Sequence, residues 1–179
     1  MRPNKQQLHI IMETSSIITT IAEIAIALVG FSAIVVVLNP KPIREWHASD
    51  QFNFRVLVQL AAIVVFFAIL PFGTNLMFDE FLAWKYALLA YGTFHIFDLS
   101  TFVFEFPPGA LLINRVLTCG GFVVAILQIL ISFIGSTSTI EATYLLGLVW
   151  HLIVAFISFV ILVHGMKGQR GASPHRERL

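Results

Sequence analysis

Apolar positions along this chain come in long blocks separated by short polar breaks. Five blocks stand out, at residues 16–38, 53–77, 82–104, 111–134 and 142–165. Crossing about 30 Å of hydrocarbon takes about 20 helical residues, and each block is that long. The third is the least uniform, because Lys85, His95 and Asp98 interrupt it. Were it re-entrant, four spans would remain and both termini would share a side. Charge placement argues for five. With five spans, one side receives the 39–52 loop, the 105–110 loop and the C-terminal tail. Lys41, Arg44, Arg55, Arg115, Lys167, Arg170, Arg176 and Arg178 lie at or beside that side, while the other has Arg2, Lys5 and Lys85 offset by Asp79, Glu80 and Glu141. Basic residues gather on the cytoplasmic side of membrane proteins, so the expected arrangement is N-terminus outside, C-terminus cytoplasmic, in a cell membrane.

Composition agrees with this pattern. Of 179 residues, 58% are hydrophobic and 12% charged, against about 25% charged in a soluble domain. Folded in water, such a chain would expose apolar surface at a cost of roughly 25 cal/mol per Å². The expectation is an all-α polytopic membrane protein, one transmembrane domain over 1–179 with a basic tail at 166–179 and no soluble domain. Soluble enzymes and nucleic-acid binders are excluded. The net charge of +1 creates no strong field for acidic partners. One cysteine, Cys119, cannot close an intramolecular disulfide. The first apolar block is longer than the 7–15 residues of a signal-peptide core and is read as an uncleaved span.

The connections are short, which makes consecutive helices antiparallel neighbours. Only the 39–52 loop has length for structure of its own, with Ser49 or Asp50 placed to cap the second helix and Trp46 suited to the headgroup region. The tail from Lys167 is polar and expected to be flexible. There is no 20–50-residue repeat and no nucleotide, zincin or CxxC motif.

At 100° per residue, every block carries a stripe of small or polar side chains. In the first block these are Ser16, Thr19, Glu23, Ala27 and Gly30; in the second, Arg55, Gln59, Ala62 and Gly73. The third gives Tyr91, His95, Asp98, Phe102 and Glu105, and the fourth Asn114, Thr118, Gly121, Ala125, Gln128 and Ser132. Tyr144, Gly147, His151, Ala155 and Ser158 complete the set. Small residues let membrane helices approach closely, and polar ones bond across at about 0.6–2 kcal/mol each. Packing accounts for most of the stripe members, with Gly121-x-x-x-Ala125 and Ala27/Gly30 as contact faces.

The ionisable members ask for more, since a charge at the bilayer centre costs about 2.5–3.5 kcal/mol on insertion scales. A rise of 1.5 Å per residue puts Glu23 about 10 Å from the outer end, His151 about 14 Å, His95 about 20 Å and Asp98 about 24 Å. Arg55 and Gln59 enter from the other end to the level of Asp98, and Gln128 lies level with Glu23. Arg55–Asp98 and Arg115–Glu105 are the expected ion pairs, and Lys85 reaches outward to the interface. His9, His47, His164 and His175 lie at or beyond the membrane edge.

Three readings follow. In the first, Glu23, His151, His95, Asp98 and Glu105 form a proton or cation pathway, as Asp/Glu/His chains do in pumps and transporters, with Gln59 and Gln128 in the same polar seam. Histidine suits such a relay because it titrates near neutrality. The second makes His95, Asp98 and His151 ligands of a transition metal, or the two histidines axial ligands of a haem. In the third the chain is a non-catalytic assembly or regulatory subunit whose seam fixes helix register. In none is it an enzyme. The expected partners are the bilayer, further copies of the chain through the Gly121/Ala125 face, and an unidentified membrane protein.

Overall fold

The computed structural model describes the backbone of residues 5–39, 41–107 and 112–171, and the side chains of 13–39, 41–107 and 112–165. Five α-helices make up the fold: α1 (Lys5–Leu38), α2 (Ala48–Thr74), α3 (Glu80–Glu105), α4 (Leu112–Ile134) and α5 (Thr137–Gly171). All five contain a segment long and apolar enough to cross a membrane, and there is no strand among the described residues. The third block is one unbroken helix, with His95 and Asp98 buried on its inward face.

Helicity outruns the apolar blocks. α1 begins at Lys5 and α5 continues to Gly171, since hydropathy marks what a helix can bury and not where its hydrogen bonds stop. The tail expected from residue 166 is therefore helical over its first residues; 172–179 lie outside the described residues. α2 starts at Ala48, preceded by a short 3-10 turn at Ile43–Glu45. Neither Ser49 nor Asp50 caps it: the cap position is His47, which makes no side-chain cap bond, and Asp50 is buried in the first turn. A negative residue there still favours the helix through the exposed N–H groups. Asp79 caps α3, accepting from the Leu82 amide at 3.0 Å.

Trp46 is also not at the surface. It is buried, donates its indole N–H to Lys41 O at 2.9 Å and meets Phe54 edge-on at 5.6 Å. The Gln51 amide donates to Trp46 O at 2.9 Å. The loop thus folds onto the start of α2, where the indole finds both an apolar bed and an acceptor.

Sequential pairs α1–α2 and α3–α4 pack closely, but α5 organises the bundle. It touches all four other helices, and α2 most extensively. α1 stands at the edge against α2 and α5, burying the row Ile18, Ile21, Ala25, Leu28 and Ser32. α3 buries Tyr91, His95, Asp98 and Phe102, while α4 buries Asn114, Gly121, Ala125, Gln128 and Ser132. Gly92 lets these two meet: a Cβ there would lie 2.9 Å from Cβ of Gln128 and 3.2 Å from the Ala125 carbonyl oxygen. The Gly121/Ala125 face is consumed inside the chain and is not open to a neighbouring copy.

Pro71, buried within α2, exposes how the bundle handles its polar backbone. Proline has no N–H, so the carbonyl four residues earlier, that of Phe67, loses its helical donor. The Tyr144 hydroxyl of α5 donates to that oxygen at 2.5 Å. Neighbouring helices commonly satisfy carbonyls freed in this way. Replacing Tyr144 by Phe should therefore lower stability by about 1–3 kcal/mol, the cost of a stranded buried acceptor. In a Pro71→Ala background, where the backbone N–H returns, the same change should cost distinctly less. Thermal unfolding of the four proteins in detergent closes the cycle; equal costs in both backgrounds would dismiss the link.

Candidate functional site

The stripes of α3, α4 and α5 converge at mid-height, where two histidines meet. His95 of α3 and His151 of α5 are both almost completely buried, with ring centroids 4.2 Å apart and planes inclined at 51°. Gly147 makes room for the pair: a Cβ at that position would collide with the Gln128 amide and lie 2.9 Å from the Tyr91 ring.

Each imidazole is held by Nδ1. His151 Nδ1 lies 3.0 Å from Gly147 O and 2.8 Å from the Tyr91 hydroxyl, and His95 Nδ1 lies 3.0 Å from Oε1 of Gln128. Gly147 O and Gln128 Oε1 can only accept, so a bond to either uses an Nδ1–H, whereas the Tyr91 hydroxyl can donate to His151 Nδ1 or accept from it; the tautomer of that ring follows the partner it takes. His151 Nε2 is buried without a hydrogen-bond partner among the described residues.

Both histidines line a partly open cavity formed by α2 to α5. Its walls are mainly apolar, from Phe52 and Phe106 near the 39–47 end to Trp150 at the histidines, with Asn114, Thr118 and Ser158 as polar points. The space open to the centres of water molecules is about 40 Å³; one water needs about 10–15 Å³, so two or three fit. On the far side of the histidines the interior is filled. Tyr91 stacks on Phe67 at 4.3 Å and contacts Tyr144 at 5.2 Å, and Trp84 packs edge-on against Tyr144. The arrangement is a recess that ends on two imidazoles, with an aromatic floor behind them.

A second polar group runs beside this recess. Arg55 pairs with Glu105, and its Nε–H donates to Oε1 of Gln59 at 3.4 Å. The Gln59 amide then donates to Asp98 Oδ1 at 2.5 Å, leaving Oδ2 without a partner among the described residues. Arg55 thus answers Glu105 and reaches Asp98 only through Gln59, in place of the direct Arg55–Asp98 pair read from depth. Arg115 is exposed and does not face Glu105 in an ion pair. Nearer the 39–47 end, Asn114 of α4 and Asn53 of α2 approach at 3.5 Å.

The five-residue descent does not close. His151 and His95 are in contact, whereas Asp98, three residues further along α3, turns to Gln59. Glu23 is exposed on the outward face of α1, together with Ser16, Thr19, Ala27 and Gly30. α1 can bury only the face turned to α2 and α5, and its apolar row fits there. Nor do His95, Asp98 and His151 gather around one point; no group of three or more His, Cys, Asp or Glu side chains among the described residues is placed to hold a metal ion. The two rings touch each other, with no intervening gap for the plane of a haem. Tyr91, absent from the predicted pathway, proves the direct partner of His151; its position four residues before His95 on the same face was the signal for it. No family model, curated protein or solved structure matches this chain.

The Gln59–Asp98 bond gives a test of the second polar group. Gln59→Leu strands a buried carboxyl and should lower stability by about 1–3 kcal/mol, while Gln59→Leu with Asp98→Leu removes both partners and should recover most of it. Denaturation midpoints in detergent measure the difference. If the double variant is as unstable as the single one, the bond is not what holds Asp98.

Proposed function

We propose that this chain is a multi-pass protein of a cell membrane that takes up protons on the His95–His151 pair from one side of the bilayer. Five apolar helices support the membrane setting. The bias of basic residues toward the 39–52 loop and the tail supports an N-out, C-in orientation. One observation carries the proton reading: two buried imidazoles in contact, each engaged at Nδ1, at the end of a cavity with room for two or three waters. A proton arriving there is taken by a ring nitrogen that carries no hydrogen, and the charge is shared with Gln128, Gly147 and Tyr91 through the bonds at Nδ1. Passage beyond the pair requires the Tyr91–Phe67 stack to part, which makes that stack the gate. Glu23, Asp98 and Glu105 have no part in this route.

Proton flux into liposomes containing the purified chain tests it. His95→Gln and His151→Gln should each reduce flux at least tenfold, whereas Gln59→Leu with Asp98→Leu should leave it near the parent level. Flux that survives both histidine changes ends the proposal, as does a folded parent without flux under an imposed pH gradient.

A second reading, an assembly subunit, draws on the outward face of α1. In lipid a carboxyl on such a face calls for a hydrogen-bonding partner, and Ala27 and Gly30 beside it leave a flat surface for another helix. Ala27→Cys, placed in a Cys119→Ser background, should crosslink in native membranes to a product whose mass distinguishes a second copy from a different protein. Monomer alone at high protein density sinks this reading.

A further inference from the structure

We propose that the recess binds a short, unbranched, uncharged primary alcohol, with its hydroxyl at Ser158 and Thr118 and its hydrocarbon end toward Val154 and Leu99. Among the described residues no Lys, Arg, Asp or Glu lines the space. A charged ligand brought among such walls would lose its hydration and meet no opposite charge. Leu60, Leu99, Val154 and the Trp150 ring suit hydrocarbon instead. The space open to water centres, about 40 Å³, limits the enclosed part of a ligand to about three or four heavy atoms.

The polar end is assigned by hydroxyls. Thr93, Ser100, Thr118 and Ser132 all turn back onto carbonyls of their own helices. Ser158 departs from this habit. It lines the recess, is only 3% exposed, and its hydroxyl has no hydrogen-bond partner among the described residues. A polar group left unpartnered so deep in the bundle is costly, and a ligand there can supply what the fold does not. Thr118 lines the same space with its hydrogen already given to Asn114 O, so its oxygen can only accept. Ser158 therefore offers a donor and Thr118 an acceptor. A hydroxyl answers both, a carbonyl or an ether only the first. Water could do the same, but it gains nothing from the apolar walls, and an apolar group that displaces loosely held water gains affinity. Binding rests on the cavity and these two hydroxyls alone. Its consequence, that a filled recess has no room for the waters that bring protons, rests on the function proposed above.

The probe is n-propanol, added to the unaltered chain in lipid nanodiscs with 13C-methyl-labelled leucine and valine. The methyl signals of Leu60, Leu99 and Val154 should shift and saturate in the millimolar range, and propionate should not compete. Shifts that grow without saturating and spread over lipid-facing side chains would mean partition into the bilayer only and overturn the site, as would competition by propionate. Ser158→Ala should weaken binding at least fivefold without lowering the unfolding temperature of the empty chain, since the hydroxyl has no partner to lose. An affinity unmoved by this change, or a clear loss of stability, overturns the role given to Ser158. Val154→Phe, which fills the recess, should abolish the saturable shifts at Leu60 and Leu99; the titration of the unaltered chain decides the matter even where that variant fails to fold. A saturable recess in a chain without flux upholds the site and removes the transport reading. Flux undiminished at saturation overturns the inhibition.

Discussion

Among the described residues, the fully buried side-chain polar atoms find partners within the bundle except Asp98 Oδ2, Gln128 Nε2 and His151 Nε2. The clearest case is the Phe67 carbonyl, released by Pro71 and taken up by the Tyr144 hydroxyl. That bond ties α2 to α5, the pair with the largest contact in the fold. Tyr144 lies two helical turns from His151 on the same face of α5. Gly147, between them, is the one place on that face where Tyr91 and Gln128 can press against the backbone.

Much of this was legible in the sequence, and the limits have physical causes. The number of helices follows from block length, and the inward faces of α3, α4 and α5 follow from the 3.6-residue period of their stripes. Period alone cannot say which face of a helix its neighbours will cover. On α1 two stripes compete, Ser16–Gly30 and Ile18–Ser32, and an edge helix with two neighbours can bury only one. The apolar row won because it fits the greasy sides of α2 and α5. The same ambiguity misplaced Gly121 and Ala125, whose small side chains serve α3 within the chain.

Depth was the sequence's only guide to which ionisable residues meet, and depth has no angular content. It put Arg55 level with Asp98, yet a guanidinium on a long flexible stem reaches toward the more exposed Glu105, and Gln59 bridges the remaining distance. Conversely, depth left the two histidines about 6 Å apart by helix rise, and side-chain reach closed the gap. Short stiff side chains obey depth; long ones choose partners.

The two polar systems that result have different chemistry. Along Glu105, Arg55, Gln59 and Asp98, opposite charges and an amide bridge answer one another, which is how a bundle neutralises charge it cannot expel. Around His95 and His151 two tilted rings stand in contact at the end of a cavity, each held at Nδ1 by a neighbour and neither bonded to the other. A pair of rings brought into contact is a poor device for holding helices together, since an amide or hydroxyl at either position would bond across the gap. The proposed proton uptake draws on that difference, because an imidazole not bonded to the other ring keeps a nitrogen for a proton. That asymmetry, and not burial alone, separates the candidate site from the structural ladder beside it.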